Sequence, residues 1–250
     1  MKYVKKFIFV TVIMATWQIA SMIVNKELFV PSPQSTFGVI VEMIKTGALW
    51  KHVGASFGRV TLGVAIATSF ATPLGFLISW NKLASRLLLP IVNSLHFIPV
   101  TCFSPLLILL FGIDEKMKIL FLVIAGFFSF LPEVIQTASE PMEKLEETAY
   151  TMGFTYIQML WYCKIPRILP TLLQSVVTLY GVGWTYVIIA ELNNTQYGLG
   201  HLMYIGSARG HTNMVFASIV LIIVVGYIFH KIANLAIRKA FPWRFMEDGE

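Results

Sequence analysis

The sequence predicts an all-α, polytopic membrane protein with about six transmembrane helices, and three observations predict it. Of the 250 residues 56% are hydrophobic and 13% charged, with a mean hydropathy of +0.72, where soluble domains carry about 25% charged residues. The apolar residues lie in long runs, and about 20 such residues cross a bilayer at a rise of about 1.5 Å each. The chain length accommodates about six such runs with modest connections, so residues 1–250 read as a single transmembrane domain. The expected spans are residues 7–24, 54–80, 87–112, 117–139, 167–192 and 213–237.

The first span follows Met1, Lys2, Tyr3, Val4, Lys5 and Lys6, a charged start resembling that of a signal peptide. Its length and the further spans behind it make it an uncleaved helix. Between the first two spans, Ser32 and Pro33 supply an N-cap and a first helical position, and Phe37, Ile40, Val41 and Ile44 recur at helical spacing. This predicts an amphipathic helix on the outer surface, ended by Thr46 and Gly47. The second span carries Gly54, Gly58, Ala67, Ala71 and Gly75, a small-residue ridge that lets another helix approach, either within the chain or at a dimer seam.

Pro90, Pro99 and Pro105 interrupt the third span and Pro132 the fourth. Proline removes a backbone donor, and lipid cannot satisfy the carbonyl released, so these helices should be surrounded by protein or line a cavity. Charged side chains at the membrane centre cost about 2.5 to 3.5 kcal/mol on insertion scales. Arg59, His96, Glu133, Glu191 and His230 therefore need partners or water. His96 and Glu133, beside prolines, either face a polar path or bond to a neighbouring helix. Glu191, near the outer end of the fifth span, reads as interfacial. The expected path lining is His96, Thr101, Ser104, Glu133, Tyr180, Trp184 and Tyr186.

Six spans put both termini on one side, and the basic residues say which. With the N-terminus inside, Lys2, Lys5, Lys6, Lys82, Arg86, Lys144, Lys164, Arg167, Arg238, Lys239 and Arg244 lie inside, against Lys26, Lys45, Lys51, Lys116 and Arg209 outside. Eleven against five predicts cytoplasmic termini and a cytoplasmic loop at about residues 140–166. The net charge of +6 is thereby explained by orientation, since no basic stripe with interleaved aromatics offers itself to nucleic acid.

That loop is polar and carries a pattern: Glu147, Thr148, Ala149, three residues, Gly153, nine residues, Cys163, one residue, Ile165 and Pro166. Tyr150, Phe154 and Ile157, spaced i, i+4 and i+7, are expected as apolar anchors on one face of a short helix, and Gly153 as a turn or a point of close approach. The pattern resembles the Glu-Ala-Ala loop of ATP-binding-cassette importer permeases, with Thr148, Cys163 and Ile165 standing where the family has Ala, Ile and Leu. Matches over roughly residues 28–244 are similar to the nitrate, sulfonate, taurine and bicarbonate branch: Val30 to Pro33, Ala55, Ser56, Arg59 and Val60, Pro73 to Gly75, Phe97 to Pro99, Pro105 and Leu106, Phe111 to Ile113, Ala190 and Glu191, and Gly198 to Gly200. The polar run Asn193 to Tyr197 departs from the small apolar residues usual there, at the outer mouth where the substrate class is read.

The resemblance implies a coupling helix between spans 4 and 5, with Glu147, Ala149, Tyr150, Gly153, Phe154, Ile157 and Pro166 as the ATPase-coupling residues. It implies as partners a second copy of the chain, two cytoplasmic ATPase subunits and an extracytoplasmic solute-binding protein. ATP and Mg belong to the partner ATPase, because this chain has no Gly-x-x-x-x-Gly-Lys phosphate loop. No catalytic residue, metal site or cofactor is expected in it. His201 and His211 read as surface residues of an outer loop, and Cys102 and Cys163 as free thiols. The alternative is a self-sufficient secondary transporter or channel with Glu133 and His96 as an ion relay, but it would call for inverted repeats that the halves do not display.

Overall fold

The computed structural model describes residues 2–95, 97–192 and 195–245. His96, Asn193 and Asn194, singled out above, lie outside the described residues. In chain order the helices are α1 (Lys2–Val24), α2 (Pro33–Lys45), α3 (Ala48–Trp80), α4 (Lys82–Leu95), α5 (Phe103–Phe111), α6 (Glu115–Ser139), α7 (Glu143–Thr151), α8 (Tyr156–Met159), α9 (Ile165–Glu191), α10 (Leu199–Ala208) and α11 (Thr212–Ala240). A π turn, Leu160–Lys164, joins α8 to α9, and short 3-10 turns cover Val100–Cys102 and Pro242–Phe245. There is no strand among the described residues.

Five stretches are long and apolar enough to cross a membrane: Phe7–Val24, Ala48–Trp80, Glu115–Ser139, Tyr156–Glu191 and Thr212–Ala240. The sixth expected span is a pair of helices, Lys82–Leu95 and Val100–Phe111, bent by 82°. Proline explains only part of that break. Pro99 caps the 3-10 turn, whereas Pro73, Pro90, Pro132 and Pro170 sit inside continuous helices. The fifth span also begins earlier than hydropathy alone suggests, because α8 and the π turn continue it down to Tyr156.

The chain divides into two compact units. One comprises residues 1–58 and 187–225. In it Trp17 of α1 stacks at 5.8 Å on Phe216 and donates its Nε1–H to the Pro31 carbonyl at 3.0 Å. Over Phe7–Val24 most of the other side chains of α1 are apolar and open, Phe7 being 74% exposed, as suits a helix with lipid around it. The helix α2 is built as its sequence indicates: Ser32 accepts from the Ser35 amide, Pro33 opens the helix, and Gly47 follows the Thr46 C-cap at φ +72°. Its stripe of Phe37, Val41 and Ile44 faces outward, while Thr36 and Met43 are buried. An exposed apolar stripe of this kind matches a helix lying in a membrane interface.

The other unit comprises residues 59–186 and 226–250. Its core is the crossing of α3 with α6, where small residues set the distance. Ala67 and Ala71 are wholly buried, a Cβ on Gly126 would stand 2.9 Å from the Cβ of Ala67, and one on Gly75 would overlap Val134 at 2.5 Å. The lower part of the expected ridge thus packs within the chain, and Gly63, which closes on Leu122, belongs to it. Gly54 and Gly58 meet nothing within 4 Å. At the start of α6, Arg59 forks onto Glu115 (Nε to Oε2 2.7 Å, Nη2 to Oε1 2.8 Å), and Lys118 reaches the same carboxylate at 3.1 Å. Two nearly buried cations therefore share one carboxylate that remains half exposed.

Candidate functional site

Three polar constructions interrupt the apolar helices. The first is the segment from Glu143 to Pro166. The acidic Glu146 closes the first turn of α7, where the helix dipole favours negative charge, and Glu147 follows it. Glu146 also pairs with the nearly buried Lys164 at 3.5 Å. The helix ends in a Schellman motif: Gly153 adopts φ +84°, its amide donates to the Tyr150 carbonyl at 2.9 Å, and the Phe154 amide donates to the Ala149 carbonyl at 3.0 Å. Thr155 then caps α8, and Gln158 answers it from the third position, Thr155 N to Gln158 Oε1 being 2.9 Å. Ala149, Met159 and Leu160 are buried together, with Phe154, Cys163 and Trp80 packed against them.

This geometry corrects the expected single face. Tyr150, Phe154 and Ile157 are not successive anchors on one helix, because Gly153 ends α7 between the first and second. Phe154 turns in to close the Schellman motif over Ala149, and Tyr150 and Ile157 stay out, at 47% and 67% exposure. Met152, Tyr156, Trp161 and Tyr162 are exposed beside them, and spacing does not single them out. Glu147 and Pro166 are exposed and Ala149 is buried. Nothing within 4 Å obstructs a Cβ on Gly153, so its role within this chain is conformational. Alongside, Leu145, Tyr162, Cys163, Pro166, Arg167, Trp243 and Arg244 line a cavity of about 390 Å³.

The second construction is a cavity of about 300 Å³ in the second unit, lined by Ser129, Phe130 and Glu133 of α6 and by Ser175, Thr178, Leu179 and Val182 of α9. Glu133 is exposed there. Ser129 donates to the Ala125 carbonyl at 2.9 Å and Thr178 to the Gln174 carbonyl at 3.2 Å, each four residues back. Of the other residues expected along a path, Thr101 is exposed and Ser104 half-buried. Tyr180 stacks on Phe229 at 3.9 Å, Tyr186 meets Phe121 edge-on at 5.9 Å, and Trp184 is buried.

The third is a latch in the first unit, and it corrects the reading of Glu191 as interfacial. Glu191 has no exposure at all. It accepts from the Ser56 hydroxyl at 2.8 and 2.9 Å and from the Gly200 amide at 2.8 Å, while Ser56 Oγ accepts from the Leu199 amide at 2.8 Å. The carboxylate and the hydroxyl thus take up the first free N–H groups of α10. Gly200 permits the close approach, since a Cβ there would stand 2.7 Å from the Ile188 carbonyl oxygen. His201, expected on a loop, lies in α10, and its ring stacks on His52 at 6.1 Å. His211 is exposed.

Residues 60–240 match the family described as the binding-protein-dependent transport system inner membrane component. A putative aliphatic sulfonates transport permease protein of Bacillus subtilis is 29% identical over 99% of this chain and 90% of its own length. The taurine transport system permease protein of Escherichia coli is 26% identical over 91% and 84%, and the formylaminopyrimidine transport permease protein of Halalkalibacterium halodurans 22% identical over 95% and 94%. In fold the chain is similar to a chain of the inward-facing methionine ABC transporter MetNI, with a TM-score of 0.67 at 19% identity, over 77% of this chain and 95% of that one.

Proposed function

We propose, because this chain belongs to the family of binding-protein-dependent transport system inner-membrane components, that two copies of it form the translocation path of an ATP-driven importer. The chain is itself a multi-pass permease subunit of the inner membrane, and permeases of this family are generally non-catalytic. In the proposed assembly both termini are cytoplasmic, residues 140–166 face the same side, and residues 1–250 act as one permease domain. Each copy docks one cytoplasmic ATPase subunit, which holds the ATP and Mg. An extracytoplasmic binding protein delivers a small solute of the size of a sulfonate, taurine or an aminopyrimidine.

The observation that carries this reading is the compact module from α7 to the π turn. Its two short helices are tied by a Schellman motif and a capping box, and it leaves Tyr150, Met152, Tyr156 and Ile157 exposed. Apolar side chains grouped at an exposed turn are the usual mark of a protein partner. A rigid stud of this kind transmits closure of a groove that grips it, where a slack loop would absorb the motion.

The test is co-purification. The tagged chain, expressed with its cognate ATPase and binding protein, is expected to hold the ATPase through purification and to hydrolyse ATP faster when the loaded binding protein is added. The isolated chain is expected to show no ATP turnover. Solute uptake by the isolated chain under an ion gradient, with no ATPase present, would replace this reading with the secondary-transporter alternative.

A further inference from the structure

The cavity between α6 and α9 has an unbalanced hydrogen-bond inventory. Ser129 and Thr178 have committed their hydroxyl protons to backbone carbonyls and offer only oxygen lone pairs to the cavity. Glu133 adds a carboxylate with no donor among the described residues, and the one uncommitted O–H is that of Ser175. No Lys, Arg or His is among the described lining residues. A carboxylate within a span such as α6 is costly toward lipid, and intramembrane ionisable groups face water-filled or protein-lined space. The spacing supports a shared face: Ser129 and Glu133 stand four apart on α6, and Ser175 and Thr178 three apart on α9.

We propose that this cavity is a way station for the positively charged, N–H-donating part of the solute, so that the cargo carries a protonated amine or a cationic amino-heterocycle. The proposal rests on the permease reading above and specifies its substrate class. A cargo with an ammonium group meets acceptors at each lining polar atom except the Ser175 hydroxyl, which can turn to either role. A cargo bearing only an anionic group meets a like charge and too few donors. A cavity of about 300 Å³ has room for such a head group together with several waters. Lone-pair contacts spread over four side chains, none of them locked in a fork, hold a cation weakly enough for it to move on.

The experiment measures the sign of the field at the cavity and does not require the cargo to be known. Ser175→Cys is introduced in the full chain with Cys102 and Cys163 changed to Ser, assembled with its ATPase in lipid nanodiscs. Labelling is then followed with two methanethiosulfonates of similar size, one bearing a trimethylammonium and one a sulfonate. After normalising to a free thiol, the cationic reagent is expected to react at least about tenfold faster in one or more nucleotide states, as a nearby unit charge in a partly wet cavity implies. Adding Glu133→Gln is expected to bring the ratio within about threefold of unity.

Equal rates, a preference for the anionic reagent, or a cation preference that survives Glu133→Gln overturns the proposal. An introduced thiol that neither reagent reaches in any nucleotide state overturns it too. Binding-protein-stimulated ATP hydrolysis by the same preparation reports separately on the permease reading, which stands or falls without the labelling result. A second arm identifies the small molecule held by the cognate binding protein by mass spectrometry. A molecule with an amine or amino-heterocycle is expected, and one with no nitrogen-borne proton overturns the assignment.

Discussion

Glu191 closes one long apolar helix and Glu133 sits inside another, yet the first is wholly enclosed and accepts from Ser56 and Gly200, while the second opens on a cavity and accepts from no donor among the described residues. The same side chain in similar local sequence is thus given two tasks. Donors brought from elsewhere in the chain turn Glu191 into a structural cap. Without them Glu133 keeps its acceptor capacity for something that is not part of the protein.

The largest effect expected from breaking this contrast falls on the saturated carboxylate. Glu191→Ala strands the Ser56 hydroxyl and the Gly200 amide in a buried site and is expected to destabilise the protein by about 3 to 5 kcal/mol, read as a lowered unfolding temperature of the purified chain. A loss under about 1 kcal/mol would show that the latch is not structural. Gly200→Ala comes next, because its Cβ would press on the Ile188 carbonyl oxygen at 2.7 Å and on Glu191 Cβ at 2.8 Å, neither of which is free to swing away. About 1 to 3 kcal/mol is expected by the same thermal assay.

Gly153→Val forces a β-branched residue to φ +84° and should cost about 1 to 2 kcal/mol. That cost stays local to the turn, so the variant is expected to insert normally yet lose ATPase retention or uncouple hydrolysis from uptake. Normal retention and parental uptake would remove the docking assignment. Glu133→Gln is expected to change stability least, by under about 0.5 kcal/mol, because no partner in the chain is lost. A loss comparable to that of Glu191→Ala would mean that Glu133 is structural as well.

Hydropathy locates the spans, apart from the start of the fifth and the bend in the third, because lipid-facing helices must be apolar along their length, and Phe7–Val24 conforms to that simply. The caps of α2 are readable for a similar reason: Ser32, Pro33 and Gly47 act on their own neighbours. What spacing cannot supply is any contact formed by the chain returning on itself. Glu191 reads as interfacial in sequence because the partners that bury it, Ser56 and Gly200, belong to two other segments. The i, i+4, i+7 count at Tyr150, Phe154 and Ile157 presumes an unbroken helix, although Gly153 in the middle of it is the signal of a break. Ser129, Ser175 and Thr178 look like isolated hydroxyls in apolar runs. The available clue is that Ser129 precedes Glu133 by one helical turn.

The π turn at Leu160–Lys164 has a consequence for what changes this region can tolerate. Its wider winding takes up one residue more than an α turn would, so the residues before it and after it are counted in different helical frames. Deleting any one residue from 160–164 would let the stretch rewind as α-helix. Tyr156 and Ile157 would then keep nearly the facing they have relative to α9, because the residue removed is the extra one that the wider turn absorbs. The interval between Gly153 and Pro166 therefore has one spare tooth and no more: a chain one residue shorter presents the same side of α8 to whatever engages it, whereas each further deletion turns that side by about 100°.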